Sequence, residues 1–322
     1  MEELLRLLKE YNKERHIEIL ERKISNNNYD WTLIPIYDEE WEKKDVEDLP
    51  YESITQILDS YYCLPERIDL AFLFCWQSIN NSYNQLQIKD TSVKYLSDKK
   101  GIDLLIQNID DLYSKKYELY LKEYIDKAPT KIFKFISNYI LKGYVIEKAR
   151  YESKYYSSSY NSFKKRFKGL YNDICNSYGE SYNQLCKPYI KGTKVRLNIM
   201  DKDKDKSRKI VHSLANKLEE LFKTKKVIFS NSNGSNSYRH QFTNKDVIEF
   251  LLVCILYANR CNNFHGNVAS RLNSIYSNKD SYLSNRYIFL LAHIICAISL
   301  NINGYLSDGA MKKLETNSGI LE

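Results

Sequence analysis

The sequence predicts an all-helical (all-α) fold. Only 5 prolines and 10 glycines interrupt its 322 residues, so the chain has few of the tight turns that a many-stranded sandwich needs. Apolar residues recur at three- and four-residue steps in several segments, which is the spacing of one helix face. Hydrophobic residues make up 43% of the chain, close to the average for a globular protein, so it can bury a substantial core.

Residues 1–60 are expected to form an acidic segment with one helix, followed by a larger helical domain over residues 61–322. The segment holds 8 Lys and Arg against 16 Asp and Glu, a net charge of −8. Apolar residues lie at roughly helical spacing over residues 2–22, which predicts the helix. Asn-rich and Pro-containing stretches break this pattern over residues 25–50, where WTLIPIY suggests an extended stretch and the acidic run after it a solvated loop.

The first strong helix is predicted over residues 65–86. Pro65 suits the first turn of a helix, where its missing N–H costs nothing. One face of this helix is apolar, which indicates core rather than a ligand pocket. That face consists of Ile68, Phe72, Trp76, Ile79 and Tyr83.

Further helices are predicted along the rest of the chain. They cover residues 101–150 with a break at Ala128-Pro129, then 158–178, 207–225, 244–260 and 281–300. Thr243 or Asn244 can cap the helix over 244–260, and the polar stretch SNSNGSNS at 230–237 is typical of a flexible loop. The last helix is apolar but contains His293, so we expect a buried core helix rather than a membrane span.

The cysteine pattern indicates a reducing compartment. The chain has 7 cysteines, an odd number, and no C-x-x-C pair. Several lie in apolar runs, as buried free thiols do, so neither a disulfide framework nor a zinc knuckle is expected. The N-terminal stretch carries acidic residues early and lacks the apolar core of a signal peptide. We therefore expect a cytoplasmic protein that uses no metal or other cofactor.

The larger part of the chain is basic. Residues 61–322 hold 40 Lys and Arg against 25 Asp and Glu, a net charge of +15, which suits a polyanionic partner such as RNA. One basic cluster is interleaved with tyrosines and is a candidate RNA-binding surface, because aromatic rings stack bases and cations neutralise phosphates. The cluster consists of Lys164, Lys165, Arg166 and Lys168, with Tyr151, Tyr155, Tyr156, Tyr160 and Tyr171 nearby. The alternative is a solubilising surface in a chain that is rich in tyrosine throughout.

The segment YANRCNNFHG, residues 257–266, carries the candidate catalytic pair. Arg260 ends an apolar helix, and His265 follows after four residues. Histidine can accept the proton of a ribose 2′-hydroxyl or donate one to a leaving 5′-oxygen, and arginine can hold a phosphate through two bonds. Five steps of about 100° would place the two on different faces of a regular helix. Asn262, Asn263 and Gly266 are poor helix formers, so we expect a kink or irregular turn there to bring the two together.

The sequence R-C-N-N-F-H-G at the end of an apolar helix resembles the R-x4–6-H motif of HEPN domains, particularly the branch that reads like R-N-N-x-F-H-G. The segment FLFCWQSINNSY, residues 72–83, looks like the opening helix of that branch. Together with the final apolar helix, the resemblance spans roughly residues 61–305. Residues 90–200 would then be a helical insertion into a HEPN-like bundle.

The resemblance implies a bundle that forms a homodimer around the motif and cuts RNA without a metal, leaving a 2′,3′-cyclic phosphate. It assigns phosphate binding to Arg260 and acid–base catalysis to His265. Cys261 departs from the family, which commonly has Asn there, so Asn262 or Asn263 is expected to take the supporting role. Such domains act in phage defence, in toxin–antitoxin pairs and in CRISPR-linked RNA degradation, so an antitoxin or a defence-system protein is a further expected partner.

Other interpretations stay open. The domain could bind RNA, nucleotides or a partner protein without cutting, as a dimerising scaffold or sensor, or it could be a structural protein associated with tRNA or the ribosome. A purely structural motif would have Arg260 in a surface ion pair and His265 capping a helix. The remaining histidines are expected to be structural or exposed, namely His16, His212, His240 and His293.

Overall fold

The computed structural model describes residues 2–24, 32–230, 237–264, 272 and 278–321. These residues are mostly helical, which confirms the predicted helical class, but two short antiparallel hairpins accompany the helices in the described part of the chain. The α-helices are α1 (Glu2–Lys9), α2 (Lys13–Ile24), α3 (Tyr51–Tyr62), α4 (Ile68–Lys89), α5 (Asp98–Leu112), α6 (Glu118–Asp126), α7 (Thr130–Lys148), α8 (Ser158–Arg166), α9 (Lys168–Ile174), α10 (Glu180–Asn183), α11 (Lys204–Thr224), α12 (Asn244–Glu249), α13 (Ala258–Phe264), α14 (Lys279–Ile302) and α15 (Asp308–Lys313). The strands are β1 (Cys186–Lys191), β2 (Lys194–Ile199), β3 (Lys226–Ser230) and β4 (Ser237–Gln241).

The chain divides into two compact units. Unit 1 comprises residues 1–127 and 262–322, and unit 2 comprises residues 128–261. Residues 1–60, the expected acidic segment, belong to unit 1 together with later parts of the chain. One helix was expected in this segment, but two α-helices, α1 and α2, lie there. A third helix, α3, begins within the segment at Tyr51.

The acidic run near residue 40 is mostly exposed, as expected, but it forms short 3-10 turns and two of its side chains are buried. Trp41 is only 8% exposed, and its indole N–H donates to the carbonyl oxygen of Tyr305 over 2.7 Å. The buried carboxylate of Asp38 accepts the backbone N–H of Ser307 over 2.6 Å. These bonds join the acidic segment to the C-terminal end of unit 1.

The core of unit 1 is centred on α4, which packs against α3, α5 and α14. The predicted apolar face of α4 is confirmed, because each of its five residues is at most 2% exposed. The helix begins at Ile68 rather than at Pro65. The proline lies in the turn that precedes the helix, so the expected first-turn position for it is wrong.

The apolar helix α14 is buried from Tyr287 to Leu300, as expected for a core helix. Its length and mean hydropathy of 1.6 would also suit a membrane span, but 94% of that window is buried inside the protein. His293 lies in this core, where its Nε2 is 2.8 Å from the hydroxyl oxygen of Tyr61. Burial lowers the pKa of His293 to about 3, so the ring is neutral and its role is structural.

Unit 2 is organised around the ring of Phe250. Its centroid lies 5.4–6.3 Å from the centroids of Phe133, Phe167, Phe222 and Phe242. Two of these phenylalanines come from α7 and α11, which pack along each other. The helix break predicted at Ala128-Pro129 is confirmed, because α6 ends before it and α7 begins after it.

Two parts of unit 2 differ from the prediction. The helix expected over residues 158–178 is divided into α8 and α9 at Phe167, whose backbone leaves the helical region with φ −113° and ψ 48°. The β1–β2 and β3–β4 hairpins were not predicted. Ser230 and Ser237, the ends of the polar stretch taken for a flexible loop, pair with each other across β3 and β4, and residues 231–236 lie outside the described part.

Candidate active site

The candidate arginine is carried by a helical run that begins with α12. The Thr243 hydroxyl accepts the backbone N–H of Asp246 over 3.2 Å, and the Asp246 carboxylate accepts the backbone N–H of Thr243 over 2.7 Å. These reciprocal bonds form a capping box, which satisfies two N–H groups at the helix start. Thr243, one of the two candidates from the sequence, is therefore the N-cap.

After α12 the backbone changes to a π-helix from Phe250 to Tyr257, and α13 follows. All side chains from Phe250 to Leu256 are buried. A π-helix bonds each residue to the fifth one along, so it shifts the faces of all side chains that follow it, and such insertions are frequent at functional sites. The irregular backbone thus precedes Arg260, whereas the sequence predicted a kink after it. α13 continues through Asn262 and Asn263 to Phe264, and Gly266, the third residue of the expected kink, lies outside the described residues.

Arg260 is the partly exposed residue of the first turn of α13. Ala258, Asn259 and Cys261 are each at most 3% exposed, whereas Arg260 is half-buried. Its guanidinium carbon lies 5.7 Å from the centre of the Tyr257 ring. A cation near an aromatic face is attracted to it.

The rest of the motif is described only in part. The boundary between the units falls after Cys261. Asn262 is half-buried on α13, whereas the side chain of Asn263 and the whole of His265 lie outside the described residues. The pairing of His265 with Arg260 therefore stays a prediction. Cys261 is 3% exposed, so the Asn that is common at this position in HEPN domains would have to bury its amide here.

The four cations of the predicted RNA-binding cluster have unequal surroundings. Lys164 Nζ is 2.5 Å from Glu147 Oε1, and Arg166 Nη1 is 2.6 Å from Glu249 Oε1. The Arg166–Glu249 pair is mostly buried, with side chains 16% and 18% exposed. Lys165 and Lys168 are exposed. RNA contact by this cluster stays a prediction, and Lys165 and Lys168 are its accessible members.

Two of the tyrosines near this cluster, Tyr160 and Tyr171, are buried. Tyr160 and Tyr171 are 1% and 5% exposed, and their hydroxyl oxygens are 2.6 Å apart. Tyr160 also donates to the carboxylate of Glu147. Burial raises the pKa of Glu147, whereas hydrogen bonds from Lys164 and Tyr160 lower it. The lowering effects together are larger, so the pKa of Glu147 lies below its usual value. Tyr160 and Tyr171 are thus part of a buried polar network and do not offer a stacking surface.

Unit 2 contains two histidines, His212 and His240. His212 is exposed on α11. His240 on β4 pairs through Nε2 with the carboxylate of Asp173, and both side chains are about 20% exposed. In the described ranges, no group of three or more His, Cys, Asp or Glu is placed to hold a metal ion.

The structure concentrates the positive charge more sharply than the sequence predicted. Unit 2 holds 26 Lys and Arg against 11 Asp and Glu, a net charge of +15, and unit 1 holds 22 against 30, a net charge of −8. All of the excess positive charge therefore belongs to residues 128–261. The cations of β1 and β2 were not among the predicted RNA contacts, although their alternation in KPYIK and KVR is the period-two pattern of a strand.

The comparisons with known proteins add no family, relative or structural neighbour to these observations. The resemblance to HEPN domains depends on the two short segments around residues 72–83 and 257–266. The chain matches no protein-family model, no curated protein and no solved structure.

Proposed function

We propose that this protein is a metal-independent endoribonuclease of the HEPN type. The observation that carries the proposal is the partly exposed Arg260, which lies 5.7 Å from the centre of the Tyr257 ring and follows a buried π-helix within the sequence R-C-N-N-F-H-G. The net charge of +15 on unit 2 also supports a polyanionic substrate.

The proposed reaction is an internal transfer within RNA. The ribose 2′-hydroxyl loses its proton to a histidine base, and its oxygen forms a bond to the adjacent phosphorus. The bond from phosphorus to the 5′-oxygen breaks, and that oxygen takes a proton from a histidine acid. The products are a 2′,3′-cyclic phosphate and a free 5′-hydroxyl. Arg260 would stabilise the charge on the phosphate oxygens, and Asn262 and Asn263 would support the histidine.

The proposed biological setting follows from the same resemblance. The enzyme would act in the cytoplasm, in phage defence or as a toxin, with an antitoxin or another defence protein as its regulator. Its functional form would be a homodimer, because two copies of His265 supply both an acid and a base.

The test is the cleavage of a labelled RNA pool by the purified protein, with and without EDTA. His265→Ala is expected to lower the rate by about 10²–10⁴-fold, because it removes the acid–base group. Arg260→Ala should cost about 10²–10³-fold, and Arg260→Lys should not fully restore the rate, because lysine lacks the two-pronged geometry. EDTA should leave the wild-type rate unchanged.

The matched control is His212→Ala, which removes an exposed histidine of unit 2 and should cleave like the wild type. Circular dichroism establishes that each variant is folded. Equal cleavage by the wild type and a folded His265→Ala variant would rule out the catalytic proposal.

A non-catalytic binding module is the second candidate. The charge of unit 2 favours it independently of the motif, since phosphate binding needs only cations. Tight RNA binding by the wild type, without cleavage and unaffected by Arg260→Ala, would support this candidate over the nuclease.

A further inference from the structure

The β1–β2 hairpin of unit 2 has one strongly basic face. Side chains alternate between the two faces of a strand, and residues directly opposite each other share a face. The register places Lys187, Tyr189 and Lys191 opposite residues Asn198, Arg196 and Lys194 on one face. This basic face contains four cations, one aromatic ring and no carboxylate.

The opposite face fixes the hairpin to unit 2. Cys186 and Val195 on that face are 7% and 2% exposed, and the hydroxyl of Tyr151 donates to the carbonyl oxygen of Pro188 over 3.2 Å. Gly192 has φ +61°, which the two-residue turn of the hairpin requires and which glycine adopts without strain. These contacts hold part of the opposite face against unit 2, whereas Ile190 near the turn is 51% exposed. The basic face is directed away from Cys186 and Val195.

The basic face is accessible. Tyr189 is 44% exposed, and Lys187, Lys191 and Arg196 are exposed as well. Within the described residues, none of these three cations forms an ion pair. An aromatic ring between exposed cations is the combination that binds single-stranded nucleic acid, through stacking on the ring and neutralisation of phosphates.

Positive charges are close together around this face. Lys191 lies directly opposite Lys194. Burial lowers the pKa of Lys142 on α7, and the positive charges of Arg196 and Lys194 lower it further. A polyanion is the ligand whose charge complements this face.

We propose that the basic face of the β1–β2 hairpin binds single-stranded RNA, with Lys187, Lys191 and Arg196 on phosphates and Tyr189 stacked on a base. The choice of RNA as the ligand rests on the proposed function, whereas the basic face does not. Lysines on an exposed strand also prevent edge-to-edge pairing of sheets. That simpler role predicts no effect of these residues on RNA binding, so the two can be distinguished.

The experiment measures the Kd of a labelled single-stranded RNA by fluorescence anisotropy, using the full chain in the His265→Ala background to prevent cleavage. The triple variant Lys187→Gln, Lys191→Gln, Arg196→Gln should bind roughly tenfold more weakly at low salt, and the slope of log K against log salt should fall by about 2. The matched control carries Lys202→Gln, Lys206→Gln and Lys209→Gln. It loses the same charge from exposed positions of unit 2 and should bind nearly as well as its parent.

A second pair of variants tests the aromatic ring. Tyr189→Ala should weaken binding about fivefold or more, because one stacked base is lost. Tyr189→Phe keeps the ring and should bind like the parent.

Equal affinity of the two triple variants would overturn the proposal and leave protection of the strand edge as the role of the face. A triple hairpin variant that loses binding to polyglutamate but keeps its affinity for RNA would assign the face to an acidic protein segment and would also overturn it. The proposed nuclease is tested separately: RNA binding through the hairpin can hold in a protein that never cleaves, and cleavage can depend on His265 when the hairpin variants bind normally.

Discussion

At the scale of single residues, charge alone does not identify an RNA contact. Lys164 and Arg166 belong to the most basic stretch near the tyrosines, yet each pairs with a glutamate that is distant in sequence. Reversing the charge of such a residue places two carboxylates against each other and disturbs the fold. Weaker RNA binding by such a variant would therefore not establish a contact with RNA, and Lys165 and Lys168 are the better positions for that test.

Arg166→Glu is expected to destabilise the protein by about 2–4 kcal/mol, because it breaks a mostly buried ion pair and leaves Glu249 beside a like charge. Urea denaturation measures the change. Lys165→Glu, at the adjacent exposed position, should shift the stability by less than about 0.5 kcal/mol. Combining Arg166→Glu with Glu249→Arg should recover part of the loss. An Arg166→Glu variant as stable as the Lys165→Glu variant would contradict the structural role of this pair.

At the scale of elements, the run from α12 to α13 determines where Arg260 lies. The capping box at Thr243 sets the start of the run, and the π-helix sets the rotation of everything after Tyr257. Phe250 is the first residue of the π-helix and also the ring around which unit 2 packs. The core of unit 2 and the position of Arg260 therefore depend on the same element.

Phe250→Ala is expected to cost about 3–5 kcal/mol of stability, because it leaves a cavity among four packed rings. Phe250→Leu should cost less, since it keeps more of the apolar volume. The control is Ile228→Ala on β3, where the side chain is 45% exposed and the loss should be under about 1 kcal/mol. Thermal unfolding of the three variants checks the order, and a Phe250→Ala variant no less stable than Ile228→Ala would show that the ring cluster is not the core of unit 2.

At the scale of the whole molecule, the charges are divided by unit, with −8 on unit 1 and +15 on unit 2.

The proposed reaction needs an acid and a base on opposite sides of the phosphate, but one chain has a single histidine in the motif. A twofold dimer with both motifs at its interface supplies the second histidine without further catalytic residues.

We therefore expect a homodimer whose specific activity falls when dilution separates the chains. Sedimentation and cleavage should report the same dissociation midpoint. An excess of His265→Ala protein, mixed with the wild type under conditions of exchange, should suppress cleavage by forming mixed dimers. The same excess of the His212→Ala control should not. Full activity in a dilute monomer would rule out the shared site.

The sequence by itself determined the features that depend on local rules. The apolar face of α4, the burial of α14, the break at Pro129 and the cap at Thr243 each follow from residues within a few turns of one another, so their spacing is visible in the chain. The Arg260–His265 spacing and the resemblance it carries are local in the same sense.

Only the tertiary structure decided the features that depend on distant residues. Arg166 pairs with Glu249, which lies 83 positions along the chain, and Trp41 donates to Tyr305, which lies 264 positions away. The sequence around Arg166 or Trp41 therefore does not contain the partner of either side chain. The same holds for the break at Phe167, which contacts Phe242 and Phe250. The basic face of the β1–β2 hairpin exists because strand pairing aligns two short segments and packing buries Cys186 and Val195 on the other side. Helical periodicity in the sequence does not reveal how two strands align.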